Sequence, residues 1–135
     1  MTRHEARIKV IQALYQMDLT EISKEEAYQN VCEEENEPFV QQLLYGIVEV
    51  QEEIDQLIQP NLTGWSLPRL AILDRAILRL AVYEMGWLEE IPSRVSMDEA
   101  IELAKDYGTD ESPKFINGVL NAVLRSLSTS GQQES

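Results

Sequence analysis

Residues 74–120 read DRAILRLAVYEMGWLEEIPSRVSMDEAIELAKDYGTDESPKFINGVL, and this stretch decides the fold. Leu73, Ile77, Leu80 and Ala81 recur at the spacing of one helical face, so 67–88 reads as helix with a short break near Asp74. Pro92 places a connection at 89–95. Ser96 followed by Glu99 has capping-box spacing: a hydroxyl meets the third amide of the helix while the carboxylate reaches back. That predicts a helix to about Tyr107, ended by Gly108. Ser112 as cap, with Pro113 at the first helical position, opens a last helix over about 113–127.

The same logic extends to the rest of the chain. In a first helix over about 3–18, Ala6, Val10, Ala13, Leu14 and Met17 share one face, and Ile8, Ile11 and Tyr15 form a second apolar strip. A helix this apolar is buried between neighbours, leaving its N-terminal turn exposed. Ser23 and Glu26 repeat the capping box and open a short helix to about Val31. Asn36 then caps a long helix to about Gln59, with Val40, Leu43, Leu44, Ile47, Val50, Ile54, Leu57 and Ile58 in its buried stripe. Pro60-Asn61 and Thr63-Gly64 break the chain. No segment alternates apolar and polar residues as a half-buried strand does. The pattern predicts an all-α globule of six to seven helices over 1–127, in halves of about 1–62 and 63–127. A flexible C-terminal tail should follow at 128–135.

Composition narrows the function. With 135 residues, 44% of them hydrophobic, the chain is expected to form one domain that buries roughly two-thirds of its unfolded surface. No apolar run approaches the roughly 20 residues of a membrane span. The lone Cys32 has no internal disulfide partner, and a cytoplasmic location is the expectation. The net charge of −13 opposes nucleic acid on average. It is unevenly spread, however: Arg3, Arg7 and Lys9 against Glu5 give residues 1–17 a charge of +2. RNA bound here would meet a small basic island and need a basic partner beside it.

Enzyme signatures are lacking: there is no phosphate-binding glycine loop, no H-E-x-x-H and no cysteine pair. His4 and Cys32 are each alone of their type, and the acids around Cys32 should raise its thiol pKa, the wrong direction for a nucleophile. The chain therefore reads as neither an enzyme nor a cofactor carrier. Among candidate binding residues, Arg3 and Arg7 share a face, with Lys9 nearby, and are either a solvated helix start or a phosphate contact. Cations at a helix N-terminus oppose the macrodipole, which favours a task beyond stability. Arg75 and Arg79 are one turn apart. Either they pair with nearby acids, with Arg79 able to stack on Tyr83, or Arg79 meets a phosphate or base. At the start of the last helix, Lys114 adds charge to free amides, and Asn117 and Asn121 can present their side chains to base edges. Phe115 reads as core.

The strings RIKVIQALYQMD (7–18), ILRLAVYE (77–84), EAIELAK (99–105) and KFINGVL (114–120), in this order and spacing, closely resemble the NusB family of bacterial transcription antitermination factors. The resemblance implies two small helical bundles packed together and a non-catalytic role. It implies binding of boxA-type single-stranded RNA jointly with NusE, a small-subunit ribosomal protein. The complex would then join RNA polymerase and other Nus factors on ribosomal RNA operons. Carried over residue by residue, it assigns RNA contact to Arg3, Arg7, Lys9, Arg79, Lys114, Asn117 and Asn121, and NusE contact to Tyr15, Tyr83 and Glu84. Family sequences often have Asp where this chain has Asn121, which replaces a charged acceptor with a neutral amide. Two alternatives stay open: a NusB-like domain of an RNA cytosine methyltransferase, which needs a cofactor domain beyond the last helix, and a purely protein-binding module; under any of these the free protein could form a homodimer.

Overall fold

Thr2 and Glu5 close a capping box on the first helix. Thr2 Oγ1 accepts from the Glu5 amide at 3.0 Å, and Glu5 Oε2 accepts from the Thr2 amide at 3.2 Å. Glu5, which interrupts the basic turn in sequence, is thus the residue that starts α1 (Arg3–Leu19). The computed structural model describes residues 1–33 and 35–134, with side chains through residue 128. Six further α-helices follow: α2 (Lys24–Cys32), α3 (Pro38–Glu49), α4 (Gln51–Ile58), α5 (Ile72–Trp87), α6 (Ser93–Tyr107) and α7 (Ser112–Glu134). Single 3-10 turns occupy Gln59–Asn61 and Leu67–Arg69, and no strand occurs among the described residues. The all-α expectation holds.

Several boundaries differ from the sequence reading, each for a local reason. The long helix expected over 36–59 is divided at Val50, whose φ of −113° and ψ of 22° interrupt the helical path between α3 and α4. Asn36 does not cap α3. Glu37 holds that position without a side-chain bond, Pro38 fills the first turn, and the Glu37 amide donates to the Tyr28 hydroxyl at 2.8 Å. The α5 helix starts at Ile72, after a break at Leu70 and Ala71 rather than near Asp74. Ser96 does not cap α6, because that helix already starts at Ser93 with Pro92 at its cap. The backbone of α7 continues to Glu134, past the end expected near 127. The flexible tail expected at 128–135 thus falls largely on the backbone of α7, while side chains beyond 128 and residue 135 lie outside the described residues.

One core runs through the chain, and α5 is its axis. Every residue from Ala76 to Glu84 is buried, because α5 touches α1, α3, α4, α6 and α7. The helices fall into two packed groups: α1–α3 against one another, and α4–α7 against one another, with α5 also reaching α1 and α3. Packing places α4 with the second group, so the groups meet near Val50, upstream of the Pro60–Gly64 break. A close approach sets the α3–α5 contact. A Cβ on Gly46 would overlap the Tyr83 hydroxyl and ring, and the Tyr83 ring in turn stacks on Trp87, centroids 6.0 Å apart.

Gly46→Ala should therefore destabilise the protein by about 1–3 kcal/mol, the range for overpacking a core, despite alanine's better helix propensity. Urea unfolding should show that cost shrinking when Tyr83→Phe removes the hydroxyl. An unchanged midpoint for Gly46→Ala would mean that the α3–α5 contact is looser than described.

Candidate functional site

Because α5 is buried on every side, its polar residues must find partners inside the protein. Glu84, 1% exposed, meets Arg7 from α1, 3% exposed. The guanidinium is held bidentately, Arg7 Nε donating to Glu84 Oε2 at 2.8 Å and Nη2 to Oε1 at 2.9 Å. Ser96 Oγ, from the buried face of α6, donates to Glu84 Oε1 at 2.8 Å. Glu99, one turn on, lies 3.8 Å from Arg7 Nη1 and 2.8 Å from His4 Nδ1. That hydrogen bond raises the His4 pKa above its ordinary value. Ser96 and Glu99, the pair that imitates a capping box in sequence, instead connect three helices through one buried carboxylate.

A second ionic cluster lies on another face of α5. Arg79, 8% exposed, donates from Nε to Asp55 Oδ1 at 2.9 Å and from Nη2 to Asp55 Oδ2 at 3.0 Å. Its Nη1 lies 3.6 Å from Asp18 Oδ2, which Arg75 Nη2 approaches at 3.2 Å. Arg75 Nη1 also donates to the Leu67 and Pro68 carbonyls at 3.3 Å each, tying down the 3-10 turn before α5. Of the two sequence readings of Arg79, its pairing with acids is the one seen. Tyr83 stacks on Trp87 rather than on Arg79.

With two arginines of the candidate RNA set turned inward, the other five RNA candidates and Tyr15 lie at the surface or partly exposed. Arg3 is exposed, with Cζ 4.6 Å from the centre of the Phe39 ring. Lys9 lines a 520 Å³ groove with Gln12, Tyr15, Gln16 and Leu73, so a candidate RNA residue and a candidate partner residue share one opening. Tyr15 is 38% exposed there, and Leu19 is exposed at the end of the same helix. Tyr83 and Glu84, the other two candidate partner residues, are buried. At the start of α7, Lys114 and Asn117 are exposed. Asn121 Nδ2 donates to the Asn117 carbonyl at 3.0 Å and to Asn117 Oδ1 at 3.3 Å. That leaves the Asn117 amide donors and the Asn121 carbonyl oxygen turned to solvent. Arg3, Lys9 and Lys114 have no ion-pair partner among the described residues.

Among the described residues no group of three or more His, Cys, Asp or Glu side chains is placed to hold a metal ion, and no helix is long and apolar enough to cross a membrane. Cys32 is buried, and burial, reinforced by Glu37 and Glu35, raises its thiol pKa as expected from sequence. Sequence reasoning missed Asp18 and Asp55 as partners of Arg79. It had no local signal for them, since Asp55 is 24 positions away. The burial of Glu84 had one: it closes an apolar run, AILRLAVYE, too continuous for a helix with a wet face.

The sequence profile of the NusB family matches residues 4–125. The transcription antitermination protein NusB of Geobacillus kaustophilus is 51% identical over 128 residues, covering 94% of this chain and 98% of that protein. Among solved structures, T. maritima NusB superposes with a TM-score of 0.89 at 35% identity, covering 100% of this chain and 99% of that one. A crystal structure of the antitermination factors NusB and NusE in complex with double-stranded RNA holds a chain with a TM-score of 0.84 at 31% identity. That match covers 92% of this chain and 96% of the other.

Arg7 is not the exposed residue that its place in the basic turn implies, and its removal separates the two N-terminal arginines. Arg7→Ala should cost about 3–5 kcal/mol, since it strands the Glu84 carboxylate in the core. Arg3→Ala should cost less than about 1 kcal/mol, the scale of an exposed cation–π contact. Equal losses for the two in denaturant unfolding would contradict the buried network.

Proposed function

The chain belongs to the NusB family, and from that premise we propose that it is an antitermination factor of the cytoplasm. It binds boxA-type single-stranded RNA in the nascent transcript jointly with NusE, the small-subunit ribosomal protein. The ribonucleoprotein then joins RNA polymerase and other Nus factors and keeps transcription of ribosomal RNA operons processive. One observation carries the reading: Arg3, Lys9 and Lys114, like Arg69 and Arg94, have no carboxylate partner among the described residues in a chain with 24 acids. Unpaired cations on an acidic protein suit an anionic ligand, and the open Asn117 and Asn121 groups suit the edges of unstacked bases. The solved complex of NusB, NusE and RNA among its structural neighbours supports the same pairing of partners.

The roles divide by burial. Arg3, Lys9 and Lys114 supply charge to phosphates, and Asn117 and Asn121 meet bases. Arg7 and Arg79 act indirectly, by fixing α1 and α4 against α5. Tyr15, beside Lys9, faces NusE, while the buried Tyr83 and Glu84 act indirectly, by holding α3 and α1 against α5. NusE, a basic protein, supplies the positive charge this chain lacks, and complementary charge speeds and orients docking.

Equilibrium titration with a short boxA RNA tests the proposal. The chain alone should bind weakly, with log K falling against log salt at a slope of roughly −2, as for three contacts on a single strand. NusE should tighten binding markedly. A much steeper slope for the chain alone, or no gain from NusE, would overturn it.

A further inference from the structure

Trp65 is 56% exposed on the segment between α4 and α5, the most exposed aromatic side chain of the described residues. It is held firmly all the same. Gln59 Nε2 donates to the Trp65 carbonyl at 3.2 Å, and Gln59 Oε1 accepts from the Leu67 amide at 2.8 Å. Asn61 Nδ2 donates to the Leu57 carbonyl at 2.9 Å, and Gly64 takes the left-handed φ of 76° that the turn before the indole requires. One exposed ring is ordinary on a protein surface, but a ring held in place by a braced loop is available to a ligand that stacks.

The surroundings indicate which ligand. Trp65 borders two cavities, of 820 and 290 Å³, and shares both walls with Phe115 and Glu111. The larger is also lined by Lys114, Arg125 and Asn61. An exposed indole, cations one side chain away and an amide at the rim are the components of a site for an unstacked nucleotide: a ring face for the base, charge for the phosphate. Asp110 and Glu111 also line the larger cavity and can accept from a base's amino group.

We propose that Trp65 is the stacking platform for one unpaired base of the bound RNA, with Lys114 and Arg125 on its backbone. This extends the RNA surface from α7 onto the loop before α5, and it rests on the RNA-binding reading above. The test titrates single-stranded boxA RNA into the NusE complex of the wild type, Trp65→Ala and Trp65→Phe, reading affinity and tryptophan emission. Trp65→Ala should bind RNA about tenfold more weakly, with unchanged melting temperature and NusE affinity. Trp65→Phe should keep most of the affinity, yet lose the RNA-induced quenching seen in the wild type. Wild-type RNA affinity in Trp65→Ala overturns this inference alone. Loss of NusE affinity instead assigns the indole to the protein partner and also overturns it. Failure of the wild-type complex to bind RNA at all removes the functional reading and this inference with it.

Discussion

The bidentate pair between Arg7 and Glu84 joins residues 77 positions apart in sequence and fixes how the first helix lies on the most buried one. Both side chains are almost wholly removed from water, so each is tolerable only with the other present. An ion pair of this kind adds little stability over an apolar pair of the same volume, and its contribution is orientation. A guanidinium fork accepts a carboxylate in few geometries, so α1 can settle on α5 in one register. Ser96 and Glu99 extend the constraint to α6. The Arg79–Asp55 pair does the equivalent for α4.

This internal use of arginine shapes the surface. The chain has only 11 basic residues, and the two bidentate pairs take two of them out of contact with any ligand. Of the cations left outside, Arg3, Lys9 and Lys114 are the candidate contacts, with the amides of Asn117 and Asn121 and the indole of Trp65 beside them. Such a surface suits recognition of bases more than attraction of a phosphate backbone, which makes a basic protein partner a physical need. On the proposed reading, the groove holding both Lys9 and Tyr15 is where RNA and that partner come close together.

Much of the fold was legible in the sequence, because helical periodicity and the Gly, Pro and Ser punctuation act locally. Ser23 caps α2 as its spacing implies. Ser96 shows the limit of that approach. A hydroxyl three residues before a glutamate reads as a cap, yet here it serves a carboxylate on another helix. The charged residues were read least well, for the same reason. Whether Arg7 is a surface cation or half of a buried pair depends on an acid on α5, and no spacing rule reaches that far. Exposure of Lys114 and Asn117 was easier to foresee, since each departs from the apolar stripe of its own helix, whereas Tyr15 reads as part of an apolar strip and is exposed all the same.

The central claim is that RNA meets the outward cations, the amides of α7 and the Trp65 loop, while the buried arginines only hold the helices in place. Backbone amide NMR of the NusE-bound chain, titrated with boxA RNA, tests it most directly. The account predicts shifts concentrated at Arg3, Lys9, 61–65, Lys114, Asn117 and Asn121, with α2 unmoved. Shifts centred on α2 and the acidic turns, with the start of α7 silent, would contradict it.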